Sequence, residues 1–155
     1  KISLSFHGNS KRQFILPIID ISKEEAPDLI KLESGFTTNF SINSEMLSNG
    51  VEDAELIGDS VVFTIRKDML ILNSENDSSS TKLELQPSDS LVLEKVGEPV
   101  RARYSIDYLK KMLKARKLSE TAKISLSSEY PMKVSFDVPN KLDLSFILAP
   151  RVEEN

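Results

Sequence analysis

The sequence predicts an α+β fold in which antiparallel sheet dominates and only two helices occur. Three observations lead there. Most of the 155 residues alternate apolar and polar, the pattern of strands with one face buried and one solvated. Turn-forming residues punctuate these runs at short intervals. Only two segments carry apolar residues at the 3.6-residue spacing of a helix.

Taken in order, the run Ile2-Ser3-Leu4-Ser5-Phe6 opens the chain as a strand, and His7-Gly8-Asn9-Ser10 reads as the turn into a second strand around Phe14-Ile15-Leu16. Between residues 18 and 33 the pattern lapses around Ser22-Lys23-Glu24-Glu25-Ala26-Pro27-Asp28, which reads as a connecting segment draped over a surface. Further strands are expected at 36–42, 61–66, 69–73, 91–96 and 99–104. The clearest alternations are Lys82-Leu83-Glu84-Leu85, Ala122-Lys123-Ile124-Ser125-Leu126-Ser127, Lys133-Val134-Ser135-Phe136-Asp137-Val138 and Leu142-Asp143-Leu144-Ser145-Phe146. Pro139-Asn140-Lys141 joins the last two as a hairpin. Asn76-Asp77-Ser78-Ser79-Ser80 is an exposed loop. The first helix follows Asn43 or Ser44 as N-cap and runs to about Ile57, burying Met46, Leu47, Val51, Ala54 and Ile57 and exposing Glu45, Ser48, Asn49 and Glu52. The second starts at the cap Ser105 and runs to about Leu118. Ile106, Leu109, Met112 and Leu113 form its buried stripe, and Lys110, Lys111, Lys114 and Lys117 lie opposite. Arg116 falls on the apolar side, so it is expected to snorkel or to meet the helix C-terminus.

Composition fits one core of Leu, Ile and Val: 39% of residues are hydrophobic and there is no tryptophan. The absence of cysteine leaves no disulfide frame and no thiol nucleophile. No apolar run is long enough to cross a bilayer and none resembles a secretory leader, so a soluble intracellular protein without membrane contact is expected. Catalysis finds no support. His7 is the single histidine, Asp20, Asp59, Asp77 and Asp107 are scattered without a histidine partner, and no glycine loop has phosphate-cradling spacing. Only a carboxylate cluster brought together by folding stays open as a metal site, and no cofactor is expected.

Charge is distributed unevenly. Between residues 101 and 117 stand Arg101, Arg103, Lys110, Lys111, Lys114, Arg116 and Lys117 against one acid, Asp107, a surplus of six, whereas the rest of the chain is acidic by ten. A basic helical face on an acidic protein attracts a polyanion locally and repels it elsewhere. A plain solvated helix face would look the same in isolation.

The C-terminal string Leu144-Ser145-Phe146-Ile147-Leu148-Ala149-Pro150-Arg151-Val152-Glu153-Glu154 resembles the end of DNA sliding clamps of the proliferating cell nuclear antigen (PCNA) family, archaeal type. Four more strings match in the family's order: Phe14-Ile15-Leu16-Pro17-Ile18-Ile19-Asp20, Ile57-Gly58-Asp59-Ser60-Val61, Tyr104-Ser105-Ile106-Asp107-Tyr108-Leu109 and Ser128-Glu129-Tyr130-Pro131-Met132. The resemblance covers the second half of a clamp protomer. It implies the DNA-clamp fold, antiparallel sheets outside and two helices on the inner face. Residues 1–18 would then be the last hairpin of a first domain, otherwise missing here, 19–33 the interdomain connecting loop, and 34–155 the second domain with its tail.

The same resemblance implies a non-enzymatic subunit of a trimeric ring, homo- or heterotrimeric. Such a ring encircles duplex DNA through phosphate contacts and docks polymerase, ligase, flap nuclease and clamp loader. Lys110, Lys111, Lys114 and Lys117 would face DNA, and Asn49 and Glu52, standing where relatives often carry basic residues, imply a weaker contribution from the first helix. A client motif of Gln, an aliphatic residue and two aromatics would dock on Pro131, Ile147, Leu148, Ala149 and Pro150, against a loop wall of Ile21, Ala26 and Pro27, with Arg151, Val152 and Glu153 offering backbone groups. Residues 12–16 and 81–86 would be the paired edges between subunits, with Arg12, Phe14, Leu16, Lys82, Leu83 and Leu85 at the seam. The alternative is a separated half-clamp or checkpoint-clamp-like module that binds partners without closing a ring. The protein would be associated with DNA, in the cytoplasm of an archaeal cell or in a nucleus.

Overall fold

The alternating runs do become strands. In the computed structural model, residues 1–18, 28–97 and 99–152 are described. The chain divides into two units, Lys1–Lys31 and Leu32–Asn155.

In the first unit, β1 (Ile2–His7) pairs antiparallel with β2 (Lys11–Leu16), in a register that sets Ile2 opposite Leu16 and Leu4 opposite Phe14. Because side chains alternate faces, Ile2, Leu4, Phe6, Phe14 and Leu16 share one side. The Phe6 and Phe14 rings meet edge to face with centroids 5.9 Å apart. All twelve strand positions are exposed, and a two-stranded ribbon is at best marginal alone. The first departure from the sequence reading is α1 (Leu29–Ser34), a short helix where a fully irregular connection was expected. Its cause is local: the Asp28 carboxylate accepts a hydrogen bond from the Lys31 amide at 3.1 Å, satisfying a donor at the helix start.

The second unit contains β3 (Thr38–Asn43), α2 (Ser44–Glu55), β4 (Ser60–Arg66), β5 (Met69–Glu75), β6 (Ser80–Leu85), β7 (Leu91–Lys95), β8 (Val100–Ser105), α3 (Ile106–Leu113), β9 (Thr121–Leu126), β10 (Met132–Val138) and β11 (Leu142–Leu148). Five strands form one sheet in the order β11-β10-β9-β3-β7, and four form another, β6-β5-β4-β8; every pairing is antiparallel. The two helices bridge the sheets, α2 packing on β3 and on β4 to β6, α3 on β8 and β11. One core results, with Phe40, Phe63, Leu70, Phe136, Val51 and Leu109 all fully enclosed. The hairpin turn at Pro139-Asn140-Lys141 forms with Asn140 at φ 60°, a left-handed conformation that asparagine tolerates.

Asn43 caps α2, its carboxamide oxygen accepting from the Met46 amide at 3.0 Å. Ser48, expected outside, is buried; its hydroxyl avoids an unpaired burial by donating to Glu52 at 3.1 Å. Gly50 lets α2 approach the sheet, since a Cβ there would stand 2.8 Å from a Leu83 methyl. At α3, Ser105 occupies the N-cap position but its hydroxyl makes no capping bond, and the first helical amide, Ile106, instead donates to the Asp59 carbonyl at 3.0 Å. The helix is α-helical only to Leu113; Lys114–Leu118 tighten into a 3-10 turn, where Arg116 donates to the Leu113 carbonyl at 3.5 Å.

Leu148 faces this core and Ile147, its neighbour on β11, the opposite side, half-exposed. Leu148→Ala should therefore cost about 2–4 kcal/mol, the usual penalty for a buried Leu-to-Ala change, and Ile147→Ala clearly less. Chemical denaturation midpoints of the two variants measure the difference.

Candidate nucleic-acid interface and docking cleft

An amphipathic helix that buries Ile106, Leu109, Met112 and Leu113 must present its remaining positions to solvent. On α3 these are Asp107, Tyr108, Lys110 and Lys111, continued by Lys114 and Lys117 in the 3-10 turn, all exposed. The Lys111 ammonium stands 5.1 Å from the centre of the Tyr108 ring, a cation–π arrangement that holds both groups outward.

The adjoining helix α2 carries the opposite charge. Glu45, Glu52, Asp53 and Glu55 are exposed, and two of them reach across to α3's segment: Glu55 to Lys110 at 2.6 Å and Glu45 to Arg116 at 3.0 Å. The hydrogen bond that the Lys110 ammonium donates to the Glu55 carboxylate holds this lysine above the ordinary lysine pKa, so it stays charged while its field is cancelled nearby. Among the described residues no ion pair engages Lys111, Lys114 or Lys117.

Arg101 and Arg103, contiguous with these lysines in sequence, lie elsewhere. On β8 the alternation sends Ala102 and Tyr104 into the core that the helices cover, and Arg101 and Arg103 to the other face of the sheet. There they meet the tail. The Arg151 amide donates to the Arg103 carbonyl at 2.7 Å, and the Arg151 guanidinium reaches the Asp59 carboxylate at 2.8 Å. Nearby, the Arg101 amide donates to the Ser128 hydroxyl at 3.1 Å and the Glu129 amide to the Arg101 carbonyl at 3.3 Å. The turn 128–131 and the tail thus flank the free edge of β8 and enclose a cleft of about 550 Å3, lined by Arg101, Arg103, Ser128, Glu129, Pro150, Arg151 and Val152. Glu129 sits at φ 52° at its rim. The sequence pointed to Pro150, Arg151 and Val152 here but not to the two β8 arginines. Their period-two spacing beside outward positions was the signal that could have separated them from the helix.

Of the other expected docking residues, Pro131, Ile147 and Pro150 are half-exposed, Ala149 and Val152 exposed, and Leu148 is a core residue, its side chain turned away from any ligand on the outer surface. Ile21, Ala26, Pro27 and Glu153 lie outside the described residues. At the expected seam, β6 is the outer strand of its sheet. Leu83 and Leu85 turn inward against the core, so the outward side chains of this edge are Lys82 and Glu84, which pair with each other. Arg12, Phe14 and Leu16 are exposed on β2, itself an edge. Among the described residues no group of three His, Cys, Asp or Glu side chains comes together as a metal site, and no helix is long and apolar enough to cross a membrane.

The family model for the C-terminal domain of proliferating cell nuclear antigen matches residues 30–151. This chain belongs to the PCNA family. The DNA polymerase sliding clamp of Methanothermobacter thermautotrophicus is 34% identical over 152 residues, 97% of this chain and 59% of that protein. DNA polymerase sliding clamp 1 of Pyrobaculum aerophilum is 31% identical over 155 residues, 99% of this chain and 61% of that protein. The crystal structure of PCNA from Thermococcus kodakaraensis superposes with a TM-score of 0.77 at 24% identity, covering 96% of this chain and 60% of that one, which establishes the clamp fold. The chain thus spans about three fifths of the length of the curated relatives it matches.

In this PCNA-family chain the tail is anchored by an ion pair whose titrating member is Asp59. The hydrogen bond from Arg151 lowers the Asp59 pKa below its ordinary 3.8. A depressed carboxylate stabilises the folded arrangement above the ordinary pKa and loses that contribution as pH falls through the depressed one. The tail should therefore stay docked at neutral pH and loosen only in acid below about 3.8. The side-chain carboxyl NMR shift of Asp59 should titrate in that window, with the tail amide of Arg151 reporting the loosening, and Asp59→Asn should abolish the transition.

Proposed function

We propose that this chain forms the second-domain half of a subunit of a ring-shaped DNA sliding clamp, which encircles duplex DNA without reading its sequence and docks replication and repair proteins. The ring is a trimer of like or unlike subunits, opened by a clamp loader, and its clients carry the Gln-aliphatic-aromatic motif. The observation that carries this reading is the lysine face of α3 in an otherwise acidic member of the PCNA family. Exposed lysines on a helix supply mobile positive charge for phosphates and lack the groove-shaped donor array that base recognition requires. A ring that slides needs that combination.

The ion pairs refine the reading. Lys111, Lys114 and Lys117 carry the DNA-directed charge, while Glu55 restrains Lys110. For the assembled protein on duplex DNA, replacing those three lysines by alanine should flatten the dependence of log affinity on log salt by up to about three, at roughly 0.9 for each phosphate contact. Glu55→Gln should act in the opposite direction and steepen it. An unchanged salt slope in both variants would remove α3 from the DNA interface.

Ring closure on this reading pairs β2 of one subunit with β6 of the next, extending the four-stranded sheet by main-chain hydrogen bonds. In amide hydrogen exchange, the outward amides of β6 should exchange quickly in the isolated chain. They should become protected when the clamp assembles, while β5, already paired on both sides, changes little. Docking of the client motif belongs to the exposed side of Ile147, Ala149 and Pro150 together with Pro131. The interdomain loop carries Ile21, Ala26 and Pro27 as the proposed opposite wall.

A further inference from the structure

The lysines proposed to face DNA do not lie on one regular helix. α3 is α-helical only through Leu113, whose ψ of -7° marks the tightening, and Lys114–Leu118 continue as a 3-10 turn. This change of geometry decides where Lys117 points. Three residues complete a full turn in a 3-10 helix, so Lys114 and Lys117 eclipse each other, about 6 Å apart along the axis. In a continued α-helix three residues fall about 60° short of a turn. Measured from the buried stripe of Ile106, Leu109, Met112 and Leu113, that shortfall would swing Lys117 back toward the core-facing side. In the 3-10 form Lys114 and Lys117 are both exposed, while Ala115 and Arg116 between them are half-buried and Ala115 packs against the core.

The start of α2 holds this turn. The first amides of a helix have no partner within it. Ser44, the first residue of α2, donates its amide to the Glu120 carbonyl at 2.8 Å and its buried hydroxyl to the Ser119 carbonyl. The next residue, Glu45, accepts from the Arg116 side chain at 3.0 Å, and Arg116 also donates to the Leu113 carbonyl at 3.5 Å. Rewinding the segment as α-helix would carry Arg116, Ser119 and Glu120 away from these partners. The choice between two forms of a single turn is a small one, and a few hydrogen bonds of ordinary strength suffice to make it. We infer that Ser44 and Glu45 are positioning residues for DNA contact, which fix the 3-10 turn and so keep Lys117 in line with Lys114. The inference rests on the DNA-facing reading of α3. It gives Glu45 a task opposite to that of Glu55, which damps the field of the lysine it pairs with.

A double-mutant cycle tests this. Lys117→Ala and the released variant, Ser44→Ala with Glu45→Ala, are made separately and together in the full chain. Each is assembled on duplex DNA as above, and the slope of log affinity against log salt is measured. Lys117→Ala should flatten the slope by about 0.9 in the parent and by nothing measurable in the released variant. Lys114→Ala, at the start of the turn, should cost the same in both backgrounds. The charge of Glu45 itself acts on both arms of the cycle and cancels. Without DNA, the backbone carbon NMR shifts of residues 114–118 should move in the released variant, while those of residues 46–54 stay in place because the Asn43 cap on Met46 is untouched. An equal loss from Lys117→Ala in both backgrounds, or unmoved shifts at 114–118, overturns the inference and leaves the DNA reading standing. Disappearance of the Lys114 contribution along with that of Lys117 also overturns it, since the whole helix would then have shifted. No loss from Lys117→Ala in the parent overturns the inference together with the DNA reading of that lysine.

Discussion

The hydroxyl of Tyr104 is the buried group on which the geometry of the proposed docking surface depends. Tyr104 is fully enclosed, its ring set edge to face against Phe63 with centroids 5.8 Å apart. Burial drives its pKa upward, so it is a neutral donor. That donor is spent on the Tyr130 carbonyl at 2.7 Å, at the turn that enters β10. Tyr130 passes the constraint on. Its ring meets Phe36 edge to face and its hydroxyl donates to the Leu32 carbonyl at 3.3 Å. The approach is possible because residue 35 is glycine, where a Cβ would stand 2.4 Å from that hydroxyl. With the turn fixed, Ser128 and Glu129 can bond Arg101 and form one wall of the cleft. The tail, tied to Arg103 and Asp59, forms the other. A buried hydroxyl without its acceptor would cost about 1–3 kcal/mol, enough to select this arrangement over its alternatives.

Charge on the helices obeys a separate logic. Exposed ion pairs such as Lys110 with Glu55 and Arg116 with Glu45 contribute little to stability, since solvent screens them and two long side chains lose freedom. Their larger effect is on the field outside the molecule. The acids of α2 cancel two cations and, among the described residues, leave Lys111, Lys114 and Lys117 without an ion pair. In the proposed ring this moderates the pull on DNA, which favours sliding over a fixed grip. A polyanion held too tightly would not move, and one held by flexible lysines alone keeps no preferred register.

Much of this architecture was legible in the sequence, and its failures have identifiable causes. The strands and both main helices were readable because each buries one face, which forces the period of two or 3.6 into the order of residues. The stripe Ile106, Leu109, Met112 and Leu113 and the opposing lysines needed nothing more. Helix α1 escaped because six residues are too few for a period, and its cap, Asp28, sits in a polar stretch that also reads as loop. Ser48 was misplaced because a small polar residue can be buried when its own helix supplies an acceptor, here Glu52. The proposed docking surface comes only from resemblance, which named the tail but could not separate Leu148, facing the core, from Ile147, facing out. Strand alternation settles that once the register with Met132 and Lys133 is known.

The four-stranded sheet has two edges, and the chain treats them differently. At β8 the backbone groups of Arg101 and Arg103 are taken by the chain's own turn and tail, so that edge is closed to another strand. At β6 no described residue lies alongside, and protection is limited to the outward pair Lys82 and Glu84 on a strand whose leucines face the core. An open edge carries a standing risk of unwanted pairing, and charged outward residues are a mild deterrent. A protein that covers one edge of a sheet with its own residues can cover the other in the same way. Leaving β6 uncovered is reasonable where a specific strand from another subunit closes it. On that argument the two edges divide the labour of the proposed clamp, β6 for assembly and β8 for holding the tail in the shape that clients meet.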